Sequence, residues 1–413
     1  MRPKIAVVRG HAFSNDEVQQ YRQLKDEFDI TFFASTGIRD HSDVGFPVVE
    51  IPCLDRLLNP VTFGAFSKLS GLSNNHIGFD LEFIPGLKRH LRGFDLVHSV
   101  DYNSFLTFQI ARLKKRLGFK FVATHWENIP FARDRHPIGR RMKYAIYEKL
   151  DGFFAMSERA RASLLLEGVG ERRIFMTGHS VDNVKFTRDE AARKDWREKL
   201  GLRPDDIVIL FVGRVRGSKG VFELIYAAKR LVNDSAIDRM RLKILIAGKG
   251  PSEKEVDKKI RLLGLQSNIS RLGAVPHEDI HLLHNLPDIF CVPSIPRKYW
   301  QEQLGLVFLE AMSCGVPVVS TLSGSIPEVV GDAGVLVQPN DHLSLYDALK
   351  GLILRRDERM EYGRKGRQRV ELLFNPGEIG EKLRRSYATV LEMRTHCTAE
   401  VASDNLPKDL PNE

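Results

Sequence analysis

The chain is poor in features that would settle its class at once. It has four cysteines (Cys53, Cys291, Cys314 and Cys397) and no C-x-x-C pair. That usage fits a reducing compartment and argues against a cysteine-ligated zinc site. No apolar run approaches the eighteen or so residues of a membrane span. The start turns polar soon after Lys4–Val8, unlike a secretory signal. Arg9-Gly10-His11-Ala12 follows the first apolar run where a dinucleotide-binding enzyme would need G-x-G-x-x-G. No solenoid-period repeat is visible.

What the sequence does have is length and positive charge. Its 413 residues are 43% hydrophobic and 28% charged. One hydrophobic core rarely serves so long a chain, so two domains are expected. The net charge is +9, and it is uneven: residues 1–200 carry 32 basic against 25 acidic side chains, and residues 201–413 carry 30 against 28. A nucleic acid, a membrane surface or a polyanionic substrate could each account for such a balance.

Short β-branched runs alternate with amphipathic stretches, the pattern of parallel βα units. Strands are predicted at Lys4–Val8, Ile30–Phe33, Leu96–His98, Phe121–Thr124 and Gly152–Met156, with helices near Asp16–Asp26 and Tyr102–Leu117. The pattern breaks between Gly45 and Gly78, where Asn59–Asn75 reads as a long loop of the kind that is often functional. The second half is cleaner. It shows strands at Ile207–Val212, Leu242–Ala247, Ile269–Leu272, Ile289–Val292, Val316–Ser320 and Val335–Val337. Helices are expected near Val221–Asn233, Ser252–Leu263, Glu278–Asn285, Leu306–Ser313 and Ser344–Arg355. The fold class is therefore α/β, with two doubly wound domains facing across a cleft: residues 1–190 and 191–378, a returning helix at 379–395 and a disordered tail at 396–413. Ligands of such sheets bind beyond the carboxyl ends of the strands.

Three constellations carry chemistry. In Phe211–Gly220 a buried strand ends at Gly213, and Arg214 and Lys219 stand on a glycine-containing loop before a helix. Side-chain charge and free helix amides there make an anion site, although the spacing is not that of a P-loop. In the second, Ile289–Ser294 leads through a polar loop containing Glu302 and Gln303 to Gly305-Leu306 and an apolar helix holding Glu310. A carboxylate in such surroundings needs a partner, and sugar hydroxyls are suitable ones. The third, Thr321–Glu328, places Gly324 and Ser325 in a loop suited to close backbone approach, while Glu328 fits the first turn of a helix.

Taken in order, these motifs resemble those of the retaining glycosyltransferases of family 4 (glycosyl transferases group 1), which have the GT-B fold. The resemblance rests on Gly213-Arg214…Lys219-Gly220, Gly248-Lys-Gly-Pro251, Leu272-Gly-Ala-Val275, Asp288–Ser294, the E-x7-E pair Glu302…Glu310, and Gly324–Gly331. It implies sugar transfer from a nucleotide diphosphate donor without a metal or other cofactor. By resemblance Arg214 and Lys219 neutralise the diphosphate, Glu310 binds the ribose and Glu302 the donor hexose. Gln303, Leu304, Gly305 and Leu306 support phosphate and sugar, Ala274 and Val275 contact the base beside Gly248, and Gly10 lets the first loop approach. His125 is the candidate near the reacting centre and His98 its competitor. Departures include Glu302-Gln-Leu-Gly305 for the usual E-G-F-G and Gly324-Ser325 for Gly-Gly.

The implied partners are a nucleotide-sugar donor and a glycan or lipid-linked acceptor. Arg112, Lys114, Lys115, Arg116, Arg133, Arg135, Arg140, Arg141 and Lys143 suggest either a solvated face or peripheral contact with an anionic membrane from the cytoplasm. Nucleic acid is disfavoured, because no aromatic interleaving accompanies these charges. A GT-B phosphorylase or epimerase and a non-catalytic sugar-nucleotide-binding protein are the alternatives.

Overall fold

The computed structural model describes residues 1–10, 18–35, 45–53, 82–102 and 104–393. The loop expected at 59–75 and the tail expected at 396–413 lie outside them. The chain divides into two units: Met1–Ser180 together with the C-terminal segment from Pro376, and Val181–Asn375.

The first unit is built on seven parallel strands: β1 (Lys4–Arg9), β2 (Asp29–Ser35), β3 (Val48–Ile51), β4 (Leu96–Ser99), β5 (Lys120–His125), β6 (Gly152–Ala155) and β7 (Ile174–Met176). Their order is β3-β2-β1-β4-β5-β6-β7. β1 lies between its two neighbours with Ile5 opposite both Ile30 and Leu96, so the winding reverses there. Both faces are buried, which is why these strands read as continuous apolar runs. Alternate residues serve opposite cores: Ala6, Val8, Phe121 and Phe153 on one face, Ile5, Val7, Val122 and Phe154 on the other. The helix Pro376–Glu392 completes the second core with Ile379, Leu383, Tyr387 and Val390, one stripe at helical spacing.

The second unit has six parallel strands: β8 (Ile207–Val212), β9 (Leu242–Ala247), β10 (Ile269–Gly273), β11 (Ile289–Cys291), β12 (Val318–Thr321) and β13 (Gly334–Val337). The order β10-β9-β8-β11-β12-β13 puts the reversal between β8 and β11. The loops leaving these two strands therefore share one end of the sheet, where a ligand crevice opens in doubly wound folds.

The α/β class and nearly all the expected strands are present. The first helix is instead a 3-10 segment, Gln19–Asp26. Two edge strands, β3 and β7, were not expected, because each is short and only half-buried. The helix Arg356–Leu373 was also missed, since Gly363 and Gly366 lower helix propensity. Both pack closely: a Cβ on Gly363 would lie 2.2 Å from the Gly315 carbonyl oxygen, and one on Gly366 would lie 3.1 Å from Met312 Cγ.

Candidate functional site

The carboxyl ends of β8, β11 and β12 meet around one carboxylate. A 3-10 turn, Gly217–Lys219, follows β8 and delivers Lys219. Its Nζ donates to Glu302 Oε1 at 2.9 Å and Oε2 at 2.7 Å. Ser294, just beyond β11, donates its hydroxyl to Glu302 Oε2 at 2.8 Å. The Ser325 amide, beyond β12, reaches the Glu302 carbonyl at 3.0 Å, and the Ile295 amide reaches the Ser218 carbonyl at 2.8 Å. Three loops are thus tied into one frame. Gly220 makes it possible: its φ is +73°, and a Cβ there would sit 1.8 Å from the Pro293 carbonyl oxygen. Only glycine combines that backbone with that approach.

Sequence reasoning placed Lys219 on a phosphate and Glu302 on a sugar. The structure brings the two side chains together as a pair, 20% and 9% exposed. An ammonium carries three N–H donors, so a third remains beyond the two given to Glu302. Trp300, which sequence reasoning overlooked, lies beside them, its ring centre 5.3 Å from Lys219 Nζ and 5.8 Å from Arg216 Cζ. Arg214 is exposed and makes no ion pair among the described residues.

Gly305, at φ +81°, caps the helix Leu306–Ser313. The amides of its first turn and the dipole give this end positive character. Gln303 is part-buried and Leu304 buried beside it. Within the helix Glu310 is half-buried, and its Oε2 lies 3.0 Å from His284 Nε2. The carboxylate expected to need a partner therefore has one within the protein. His284 is 0% exposed and packs against Phe290 and Phe186, with ring centres 5.2 and 6.0 Å away. Its Nδ1 reaches no hydrogen-bond partner. In the neutral ring the proton therefore belongs on Nε2, where it serves the carboxylate. The only sequence signal for His284 was a second histidine in a segment, Ile280–Leu286, whose other residues are apolar apart from Asn285.

The β9 and β10 ends complete this face. The Gly248 amide donates to the Gly273 carbonyl at 2.6 Å, and the Val215 amide to the Lys249 carbonyl at 3.0 Å. Ala274 is exposed and Val275 half-buried just beyond.

In the first unit His98 is fully engaged, with Tyr387 Oη at 2.7 Å on Nδ1 and Thr124 Oγ1 at 2.8 Å on Nε2. Burial drives its pKa down to about 3. His125 ends β5, is 0% exposed and stacks on Tyr102 with ring centres 4.4 Å apart. Neither ring nitrogen has a side-chain partner. Burial, reinforced by the Lys143 ammonium, lowers its pKa to about 3, so the ring is neutral. Gly10 lies against the Glu82 carboxylate, whose Oε2 would be 2.0 Å from a Cβ.

Of the basic residues assigned to a surface, Lys143 is buried, and Arg133 and Lys114 are half-buried and paired. Lys143 is 1% exposed and bridges Asp134 at 2.8 Å and Glu167 at 2.7 Å. Arg133 pairs with Glu127 at 3.3 Å. The loop after β5 carries Glu127, Arg133 and Asp134, and Lys143 reaches Asp134 from the helix Pro137–Lys149, a meeting that periodicity alone did not reveal. Arg112, Lys115 and Arg116 stay exposed, while Lys114 pairs with Asp151 at 2.8 Å.

Two parallel-sheet α/β units, each with its winding reversal beside β1 or β8, define the GT-B class of architecture. Residues 192–369 match the family described as glycosyl transferases group 1, and residues 22–183 match Glycosyltransferase Family 4. The chain belongs to this glycosyltransferase family. It is 34% identical over 289 residues to the D-inositol 3-phosphate glycosyltransferase of Corynebacterium jeikeium, covering 65% of this chain and 66% of that one. It is 29% identical over 209 residues to the GDP-mannose-dependent alpha-(1-6)-phosphatidylinositol monomannoside mannosyltransferase of Mycobacterium tuberculosis, covering 49% and 52%. These matches span about half to two-thirds of the relatives' lengths. The fold resembles Anabaena HepE in complex with UDP and glucose, with a TM-score of 0.72 at 16% identity over 94% of this chain and 100% of that one.

Proposed function

We propose that the protein is a retaining glycosyltransferase that moves a hexose-type sugar from a nucleoside diphosphate donor to a glycan or lipid-linked acceptor. The observation that carries the reading is the joining of Lys219, Glu302 and Ser294 beside the Leu306 helix terminus, where the sheet reverses. On this assignment Lys219 and the amides at the start of that helix serve the phosphates, and Glu302 and Glu310 serve the hydroxyls.

In this reading the acceptor hydroxyl oxygen bonds to the anomeric carbon as the bond from that carbon to the diphosphate oxygen breaks, the hydroxyl proton passes to the leaving phosphate, and negative charge grows on that leaving group. Lys219, Arg214 and the amides at Leu306 meet that charge in the transition state, where stabilisation accelerates the reaction. They supply the positive charge without a bound metal. Glu310, held by His284, accepts from the ribose hydroxyls, and Glu302 accepts from the hexose. The backbone at Gly273–Val275 faces the base. His125, neutral and without a side-chain partner, is the reacting-side candidate in the first unit.

Relatives named for inositol phosphate and phosphatidylinositol mannoside favour a phosphorylated-polyol or lipid-linked acceptor. No helix among the described residues is long and apolar enough to cross a membrane. Arg112, Lys115 and Arg116 form the face available for peripheral contact with anionic lipid at the cytoplasmic surface.

Donor turnover against UDP-, GDP- and ADP-sugars tests the proposal. One of these supports turnover in the parent, and Glu310→Ala abolishes it in a chain that stays folded. Undiminished turnover in that variant refutes the assignment.

A further inference from the structure

The second unit carries a second concentration of positive charge at the opposite end of its sheet. Asp288 immediately precedes β11 and Pro317 precedes β12, and a groove of about 530 Å³ opens beside them. Six arginines line it: Arg188, Arg193, Arg356, Arg359, Arg364 and Arg367. Glu190 and Asp288 are the only acidic residues of the lining.

Three of these guanidinium groups are fixed in place by neutral oxygens. Arg193 Nη1 donates to the Leu286 carbonyl at 2.7 Å and the Pro287 carbonyl at 2.9 Å. Arg367 Nη1 donates to the Ser313 carbonyl at 2.7 Å, and Arg359 Nη1 to those of Leu352 at 2.6 Å and Ile353 at 2.7 Å. A carbonyl orients a cation without cancelling its charge. Capping helix ends accounts for Arg359 and Arg367 individually, but it does not explain why Arg188, Arg356 and Arg364 converge on the same groove.

The lining carboxylates are already committed. Asp288 is shared by Arg193 at 2.7 Å and Arg197 at 3.5 Å, and Glu190 pairs with Arg188 at 2.7 Å. Arg364 and Arg367 pair outward with Glu361 and Glu371 on their own helix. Arg356 and Arg359 make no ion pair among the described residues. Burial pushes the pKa of Arg359 and of Arg193 below the usual guanidinium value, the mark of cations held away from water.

We propose that this groove is a binding site for a free, multiply charged phosphate-type anion, separate from the crevice at the carboxyl ends of the strands. Guanidinium forks match phosphate oxygens bidentately, and the volume suits a ligand of nucleotide size. Arg356 and Arg359 carry the uncompensated charge, which a ligand with at least two negative charges meets, and a polyphosphorylated one is long enough to reach the paired arginines along the groove as well.

Tripolyphosphate is the probe, titrated calorimetrically at low ionic strength, where such contacts are least screened. Arg214→Ala/Lys219→Ala removes the cations of the other crevice, and this chain is expected to bind one equivalent. Adding Arg188→Gln, Arg356→Gln and Arg364→Gln, all at exposed positions, should weaken that binding by about tenfold or more. Arg356→Gln alone, which breaks no ion pair, is the fallback should the combined variant fail to fold, with an expected loss of about threefold. Absence of binding in Arg214→Ala/Lys219→Ala, or equal affinity after the arginine changes, overturns the proposal. Phosphatidylcholine vesicles containing phosphatidylinositol 4-phosphate distinguish the source: sedimentation with them in the absence of tripolyphosphate binding also overturns it and points to a lipid headgroup.

Discussion

Removing the Lys219 ammonium should destabilise the second unit, and removing the Glu302 charge from the same chain should restore most of the loss. Both oxygens of Glu302 take a hydrogen bond from Lys219, at 2.9 and 2.7 Å, and the carboxylate side chain is only 9% exposed. Breaking a fully buried pair from one side costs about 3–5 kcal/mol, and a single hydrogen bond to a charged group contributes about 1.5–3 kcal/mol. Ser294 still serves one oxygen, and Lys219 is part-exposed, so Lys219→Ala should cost about 2–3 kcal/mol. In a unit of this size that lowers the melting temperature by about 4–12 °C. Glu302→Gln in the Lys219→Ala background removes the stranded charge, keeps an acceptor for Ser294, and should recover about half or more of the loss. Donor turnover should stay absent in both variants, because transfer needs the charges themselves. Thermal unfolding of the two single variants, the double variant and the parent completes the cycle. Equal melting temperatures for Lys219→Ala and Lys219→Ala/Glu302→Gln would show no relief from removing the stranded charge and refute the reasoning.

Three further outcomes are expected. His284→Phe removes the Nε2–H from Glu310 but keeps a buried ring, so donor KM should rise about tenfold with a smaller change in kcat; His284→Gln should recover part of it, and an unchanged KM would discard the positioning role. Stability should fall as pH drops below about 6.5, the value at which unfolded histidines take up protons, because His98 and His125 stay neutral in the fold down to about 3. Each contributes up to about 1.4 kcal/mol per pH unit in that window, and urea midpoints that coincide at pH 7 and pH 5 would contradict it. Lys143→Met should cost about 3–5 kcal/mol by stranding Asp134 and Glu167, and a stability within about 0.5 kcal/mol of the parent would contradict the buried bridge.

The sheet strands were legible because a parallel strand buried on both faces is an unbroken apolar run, as in Ile207–Val212. The loops at their ends were legible through chemistry, since Lys219, Glu302 and Glu310 are charged groups set next to buried elements. What escaped were relationships that arise only in three dimensions. His284 looked like any residue of an apolar segment until Glu310 arrived from a helix 26 positions away. Lys143 looked like one more cation of a basic helix until Asp134 and Glu167 closed over it. The arginine groove was hidden because its lining comes from segments far apart in the chain, Arg188 and Arg193 on one side of residue 200 and Arg356, Arg359, Arg364 and Arg367 on the other.

The helix that closes the first unit's core is the last described element in the chain. Ile379, Leu383 and Val390 finish an apolar core begun by Ile5 and Val7, and the Tyr387 hydroxyl meets His98. On a ribosome adding about 5–20 residues per second, the first unit therefore waits about 10–40 s with one face of its sheet only partly covered, by the Gln19–Asp26 segment, while the whole second unit is made. The second unit is contiguous and should fold first, although its coding sequence comes later. During that interval the strip around Phe154, against which Tyr387 packs in the finished fold, is the surface most in need of a chaperone. A nascent chain stalled near Asn375 should accordingly be protease-sensitive in its first half and resistant in its second.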